Sequence, residues 1–186
     1  MKSELREIKY TYQACSFVFI SDCGVFSKDK IDFGSRLLVE TLLQEEKGYK
    51  NILDVGCGYG FMGIVLSKFF NLDATLIDVN KRAVHLTQMN LKKNQVKGVA
   101  YVSDVYQNVS GVFDLIVTNP PIRAGKKVVL AILNEAKNHL SEQGVLWFVI
   151  RKDQGAKSII KEMEKEYWVS IQKKEKGFYV MKAKIS

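Results

Sequence analysis

The sequence predicts an α/β fold built on a mostly parallel sheet, and three observations carry that prediction. Beyond about residue 50, strand-like and helix-like periodicities alternate along the chain. A Gly-rich turn, Gly56-Cys57-Gly58-Tyr59-Gly60, joins the first of these strands to a helix. Asp54, Asp78 and Asp104 then fall at the ends of three successive strands, the edge of an open α/β sheet where ligands bind.

The elements follow in order. Before the alternation, Ile8-Lys9-Tyr10-Thr11-Tyr12 and Ser16-Phe17-Val18-Phe19-Ile20 are β-like. A helix is expected from about Ser35 to Glu46, with Ser35 as N-cap. Asn51-Ile52-Leu53-Asp54-Val55 reads as a short buried strand, and the helix after the glycines runs from Phe61 through Lys68. Ala74–Asp78 is a second strand. The next helix spans about 81–93, with Val84, Gln88 and Leu91 one turn apart. Val99–Val102 and Phe113–Val117 are the third and fourth strands, the latter stopped by Asn119-Pro120-Pro121. Val128, Val129, Ile132, Leu133, Ala136 and Leu140 keep one helical face. Gly144 punctuates before a fifth strand, Val145–Ile150. A helix through Ile159, Ile160, Met163 and Tyr167 precedes two strand-like runs, about 168–173 and 177–184. These pivot at Gly177 as an antiparallel pair closing the sheet edge.

Composition narrows the function classes. A chain of 186 residues with 47% apolar and 26% charged residues suits one globular domain, and excludes disordered and low-complexity classes. No apolar run reaches the ~20 residues of a membrane helix, and the acidic start, Met1-Lys2-Ser3-Glu4, does not read as a signal peptide. Cys15, Cys23 and Cys57 are odd in number and scattered; we expect reduced thiols, a cytoplasmic location and no metal site. A net charge of +8 favours a polyanionic partner such as nucleic acid.

The Gly-rich turn lets the backbone approach a ligand closely, and the helix behind it offers free N–H groups. Phe61 stands where the dinucleotide fingerprint needs its third glycine, and no Gly-Lys-Ser/Thr follows, so neither the dinucleotide nor the phosphate-loop pattern is met. An acid at Asp78 can accept both hydroxyls of a ribose. The string Asp54-Val55-Gly56-Cys57-Gly58-Tyr59-Gly60 resembles the first motif of class I S-adenosylmethionine-dependent methyltransferases. The resemblance implies a Rossmann-like, seven-stranded, mostly parallel sheet with helices on both faces. It also implies S-adenosyl-L-methionine as cofactor. The implied cofactor residues are Asp54, Gly56, Cys57, Gly58, Gly60, Asp78, Val79, Asp104, Val105 and Asn119. Among them Asp54 would orient the loop and the cofactor amino group, Asp78 the ribose, and Asp104 the adenine amine.

Asn119-Pro120-Pro121-Ile122 directly follows the fourth strand and contains both prolines of the chain. The Asn119 amide oxygen and the Pro120 carbonyl can converge on an exocyclic amine and favour lone-pair density at its nitrogen, while the prolines stiffen the segment. The pattern resembles the Asn-Pro-Pro motif of amino-group methyltransferases, with Ile122 where an aromatic is usual. With Asn119 to Lys126 and the upstream Asp22–Lys28 and Asp32-Phe33-Gly34, the chain resembles the methyltransferase small domain family over about residues 15–150. The family includes ribosomal RNA guanine-N2 methyltransferases. The resemblance implies Asn119, Pro120, Pro121 and Ile122 at the catalytic position. Phe26, Ser27, Lys28, Asp32, Arg123 and Lys126 would lie on the substrate side. The first 50 residues differ in pattern from the rest, so we expect one methyltransferase domain over residues 1–186, with 1–48 as an extension packed on it.

The expected activity is therefore methyl transfer to the N2 amine of a guanine in ribosomal RNA, on naked RNA or a ribosomal particle, by a cytoplasmic protein, as a monomer. A protein glutamine or small-molecule amine as acceptor stays open, as does a non-catalytic RNA-binding factor. Lys173, Lys174 and Lys176 read as a solvated face. Tyr10, Tyr12, Phe17 and Phe19 read as packing residues, and Cys57 as a space-filler.

Overall fold

The computed structural model describes residues 4–22, 30–45 and 48–186. An antiparallel hairpin opens the chain, β1 (Arg6–Tyr12) with β2 (Cys15–Ser21), followed by α1 (Phe33–Leu42). Then β3 (Asn51–Val55), α2 (Phe61–Phe70), β4 (Asp73–Asp78), α3 (Lys81–Lys93), β5 (Gly98–Val102) and β6 (Phe113–Thr118) alternate. They are followed by α4 (Lys126–Glu135), β7 (Leu140–Arg151), α5 (Ala156–Met163) and the pair β8 (Tyr167–Glu175) and β9 (Phe178–Ile185). Seven strands form one sheet in the order β5-β4-β3-β6-β7-β9-β8. The first five are parallel, and β9 lies antiparallel between β7 and β8. This is the Rossmann-like methyltransferase architecture that the sequence predicts.

Side chains alternate across the sheet, so each central strand feeds two apolar layers. Ile52, Leu115, Val117, Trp147 and Val149 pack with Leu38, Leu42, Ile64 and Leu86 of α1, α2 and α3. Leu53, Val55, Ile116, Leu146, Phe148 and Ile150 pack with Val129, Leu133, Ile159 and Met163 of α4 and α5. The hairpin joins the first layer through Ile8, Tyr10, Phe17 and Phe19. Phe19 is fully buried, which stabilises the fold by about 2–3 kcal/mol. Polar bonds finish the attachment. Asn90 on α3 and Asn94, its C-cap one turn later, bond the outer backbone edge of β2. Asn90 Oδ1 accepts from the Ile20 N–H (2.7 Å) and Asn94 Oδ1 from the Val18 N–H (3.1 Å). Their amide groups donate back to the carbonyls of Ile20 and Val18.

Three boundaries differ from expectation. The first helix starts at Phe33, and its N-cap is Asp32, not Ser35: the Ser35 N–H donates to Asp32 Oδ2 at 3.0 Å. It ends at Leu42, short of Glu46. Gly144 does not interrupt a strand. β7 begins at Leu140 and passes through it with a register irregularity against β6, where a Cβ on Gly144 would sit 2.7 Å from the Phe113 carbonyl oxygen. Glycine is there for close backbone approach. Leu140 and Tyr167, expected on helical faces, instead open β7 and β8. Tyr167 remains buried, and its hydroxyl donates to the Leu133 carbonyl of α4 at 2.7 Å.

Candidate active site

The crevice lies at the C-terminal ends of β3, β4, β5 and β6. Here the loop after β3 takes a path that glycines permit. Gly56, Gly58 and Gly60 have φ of 73°, 59° and 101°, the left-handed region that side chains disfavour. The N–H groups of Gly56 and Cys57 both donate to the Ile77 carbonyl at 2.9 Å, which pins the loop to β4. Beside Gly56 a Cβ would meet nothing within 4 Å, so one flank of the loop is open.

Asp54 is wholly buried beneath this loop. Its Oδ2 accepts from the Gly63 N–H of α2 at 2.8 Å. Its Oδ1 has no hydrogen-bond partner among the described residues. Burial raises the carboxyl pKa to about 7, with the Gly63 bond opposing and the nearby Asp78 charge adding to the rise. Such a group suits a cationic ligand atom, which would satisfy the orphaned oxygen and hold the carboxylate ionised.

Asp78 closes β4 with both oxygens engaged: Oδ2 accepts from the Gly58 N–H (3.0 Å) and Oδ1 from the Asn80 N–H (2.9 Å). Each oxygen keeps a lone pair for a further donor, such as a ribose hydroxyl. Val79 between them is exposed. From α3, the Thr87 hydroxyl donates to the Gly58 carbonyl at 2.8 Å and Asn90 Nδ2 to the Tyr59 carbonyl at 2.7 Å. Cys57 is buried with its Sγ 3.5 Å from Thr87 Oγ1, and desolvation pushes its thiol pKa well up, so it fills space and is no nucleophile.

Asp104 is exposed just past β5, and Val105 after it has φ 52°. A β-branched residue in the left-handed region costs on the order of 1–2 kcal/mol. Ser103 holds it there. The Ser103 hydroxyl donates to the Val105 carbonyl (2.8 Å) and accepts from the Asn108 N–H (3.1 Å), while the Ser103 N–H donates to the Asp78 carbonyl (3.0 Å).

Asn119 follows β6, whose last residue Thr118 donates its hydroxyl to the Val55 carbonyl at 2.8 Å. The two strand ends, and thus Asp54 and Asn119, are held in register. Asn119 Nδ2 donates to Asp32 Oδ2 at 2.9 Å and to Ser35 Oγ at 3.0 Å. Both amide hydrogens are therefore committed to the first turn of α1, and Oδ1 is the end of the group left to accept. Pro120 is buried, Pro121 exposed and Ile122 half-buried at the start of a short 3₁₀ turn. The bond of that turn uses the Pro121 carbonyl, which accepts from the Ala124 N–H at 2.9 Å.

The structure thus brings together Asp54, the glycine loop, Asp78 and Asn119, with Asp32 against Asn119. Arg123 and Lys126 lie beyond, both exposed; the Lys126 ammonium donates to Ser158 Oγ in the first turn of α5. Phe26, Ser27 and Lys28 lie outside the described residues. Sequence reasoning missed Ser35, Thr87, Asn90 and Ser103, which hold the site from behind. Only the Asp32-x-x-Ser35 spacing, an N-cap pattern, carried a local signal.

Known proteins share this fold and sequence pattern. The family model of the methyltransferase small domain matches residues 16–182. The uncharacterized protein YbxB of Bacillus subtilis is 46% identical over 190 residues, covering 99% of this chain and 94% of its own. Ribosomal RNA small subunit methyltransferase C of Erwinia tasmaniensis is 40% identical over 131 residues, covering 68% of this chain and 38% of its own. Among solved structures, the T. thermophilus 16S rRNA N2 G1207 methyltransferase (RsmC), in complex with AdoMet and guanosine, superimposes with a TM-score of 0.86 at 27% identity. That match covers 98% of this chain and 51% of the T. thermophilus chain, so this chain spans about half of that enzyme and less of the Erwinia one.

Proposed function

The chain belongs to the methyltransferase small domain family, and from that premise we propose that it transfers a methyl group from S-adenosylmethionine to the exocyclic N2 amine of a guanine in ribosomal RNA. The observation that carries the reading is the fixed amide of Asn119, whose two N–H bonds to Asp32 and Ser35 leave Oδ1 as the accepting end. The similarity to RsmC, whose solved complex holds AdoMet and guanosine, supports the acceptor.

The residues present fit the cofactor. Asp54 Oδ1 is a buried acceptor without a partner among the described residues, and the flank of Gly56 is open. Asp54 would meet the cofactor's amino group, Asp78 its ribose and Asp104 its adenine. When bound, S-adenosylmethionine supplies an electrophilic methyl sulfonium.

The protein's own part is orientation and charge. Asn119 Oδ1 and the Pro120 carbonyl each accept one N–H of the target amine, which directs the nitrogen lone pair at the methyl carbon. The amine proton leaves to water after transfer, so no strong base is required. Asp32 is a positioning residue here: its carboxylate selects which end of the Asn119 amide faces the amine.

The test is transfer of labelled methyl from S-adenosylmethionine to undermethylated ribosomal RNA and particles, followed by digestion to nucleosides. Label in N2-methylguanosine is expected. Asn119→Ala should abolish transfer while leaving cofactor affinity within a few-fold. Label in a protein glutamine and none in RNA would overturn the acceptor.

A further inference from the structure

The rim of the crevice beyond Asn119 carries a cationic cluster that the reaction chemistry does not use. Phe33, next to Asp32, meets Phe178 at the start of β9 with ring centroids 5.4 Å apart. Arg36 and Lys176 both stand over the Phe33 ring, at 5.8 and 4.9 Å, and Arg151 stands over Phe178 at 5.5 Å. Two touching rings thus hold three cations. Arg151 opposes Phe178 across β7 and β9, and Lys173 opposes Val180 two residues on, so both occupy the sheet face of Phe178. Arg36, Arg151, Lys173 and Lys176 are all exposed. Carboxylates lie close as well: Asp153, which accepts from Arg151 at 2.9 Å, the exposed Glu175, and Asp32 beside Phe33.

The cluster is built, not incidental. Lys176 and Gly177 form the two-residue turn between β8 and β9, with φ 49° and 80°. That conformation favours Asn, Asp or Gly at the first position. A lysine there is strained, and its ammonium comes to rest on Phe33. The turn is clamped by the Lys152 N–H, which donates to the Gly177 carbonyl at 2.9 Å. The link to the site is short: an added Cβ on Gly34 would lie 3.0 Å from the Phe178 ring and 3.3 Å from Asp32 Oδ2, the acceptor of Asn119.

We propose that this rim, formed by Arg36, Arg151, Lys173 and Lys176 around Phe33 and Phe178, grips the phosphate backbone of the RNA strand flanking the target nucleotide. The rings are already covered by cations, so they brace the charges and do not stack bases. The grip is therefore electrostatic and indifferent to base sequence. Lys173 and Lys176, which read from the sequence as a solvated face, become substrate contacts. The proposal rests on RNA as the acceptor.

The experiment compares two triple variants of equal charge change. One removes the rim cations (Arg36→Ala, Lys173→Ala, Lys176→Ala). The other removes cations at the opposite end of the sheet (Lys50→Ala, Lys92→Ala, Lys97→Ala). Binding of a fluorescein-labelled 20-nucleotide single-stranded RNA is followed by anisotropy across salt concentrations. Each single-strand phosphate contact contributes about 0.7 to the log–log salt slope. Loss of three contacts should shallow the slope by about 2 and weaken binding about 50-fold at 150 mM salt. The opposite-end variant should stay within about threefold of wild type. S-adenosylmethionine affinity should be unchanged in both. Equal losses in the two triples, or wild-type binding by the rim triple, would overturn the proposal. RNA bound through the rim without methyl transfer would leave the surface standing and remove the assigned reaction. Methyl transfer with an unchanged KM for RNA in the rim triple would do the reverse.

Discussion

Asp32 holds two jobs on one oxygen. Its Oδ2 caps α1 by accepting the Ser35 N–H at 3.0 Å and fixes Asn119 by accepting from Nδ2 at 2.9 Å. Three substitutions separate these jobs. Asn keeps a neutral oxygen able to accept both bonds. Ser is a comparable N-cap but too short to reach Asn119. Ala loses both. Replacing an N-cap by Ala costs about 1 kcal/mol, and exchange among good caps a few tenths. A hydrogen bond to a charged group is worth about 1.5–3 kcal/mol, of which Ser35 Oγ retains a share through its own 3.0 Å bond to Asn119. A net loss of about 1.4 kcal/mol in positioning is a tenfold fall in kcat. Stability should rank wild type, Asp32→Asn and Asp32→Ser together, with Asp32→Ala below by about 1 kcal/mol. Turnover should rank differently: Asp32→Asn within about threefold of wild type, and Asp32→Ser and Asp32→Ala both down about tenfold. Urea melts and single-turnover methyl transfer supply the two rankings. Heteronuclear spectra of the Asn119 side-chain amide report the bonds without any activity. If Asp32→Ser turns over like wild type with its Asn119 resonances shifted, the fixed amide has no part in the reaction.

Four further outcomes follow from the same geometry. The Asp54 carboxyl, raised to about 7 in the fold from 3.8, titrates around neutrality. Binding of S-adenosylmethionine, whose amino group favours the carboxylate, should tighten about tenfold from pH 6 to 8, and calorimetry on Asp54→Asn should show no such dependence. A raised carboxylate pKa means the fold holds its proton more tightly than the unfolded chain. Wild type should therefore lose about 3 kcal/mol of stability relative to Asp54→Asn between pH 5 and 8, read from urea melts at both. Gly63→Ala would bring a Cβ within 2.6 Å of Leu76 Cδ2 and 3.1 Å of Asp54 Cβ. Overpacking of about 1–3 kcal/mol should outweigh the helix propensity of Ala, seen as a lower melting temperature and weaker cofactor binding. Asn90→Leu strands the Ile20 N–H and the carbonyls of Ile20 and Tyr59. A loss of at least about 3 kcal/mol is expected, or some 6–12 °C in melting temperature.

The parts of the site that were legible in the sequence are those set by local pattern. Asp54, the glycines, Asp78 and Asn119 follow from strand–turn–helix succession, since a parallel sheet places every strand's C-terminal end on one edge. The same succession gave the seven strands, and Gly177 gave the final hairpin. What escaped are bonds between distant residues of ordinary surface type. Asp32 and Asn119 lie 87 positions apart and share no period. Ser35 looked like a cap because serine favours that place, yet a carboxylate three residues earlier took it. Gly144 looked like punctuation because glycine weakens strands; its real constraint is the nearby Phe113 carbonyl, which only the folded sheet supplies. Asn90 and Asn94 carried no signal in the sequence, since β2 does not lie beside α3 until the chain folds.

That last pair acts as a ruler. Four residues of helix advance about 6 Å, and two residues of strand advance about 6.6–6.8 Å. Asn90 and Asn94 can therefore address Ile20 and Val18 together, each through both backbone groups of one residue. A slip of β2 by one residue would present residues whose backbone groups face the other way, and would turn Phe17 and Phe19 out of the core. Two neutral amides at one end of a helix thus encode a strand address.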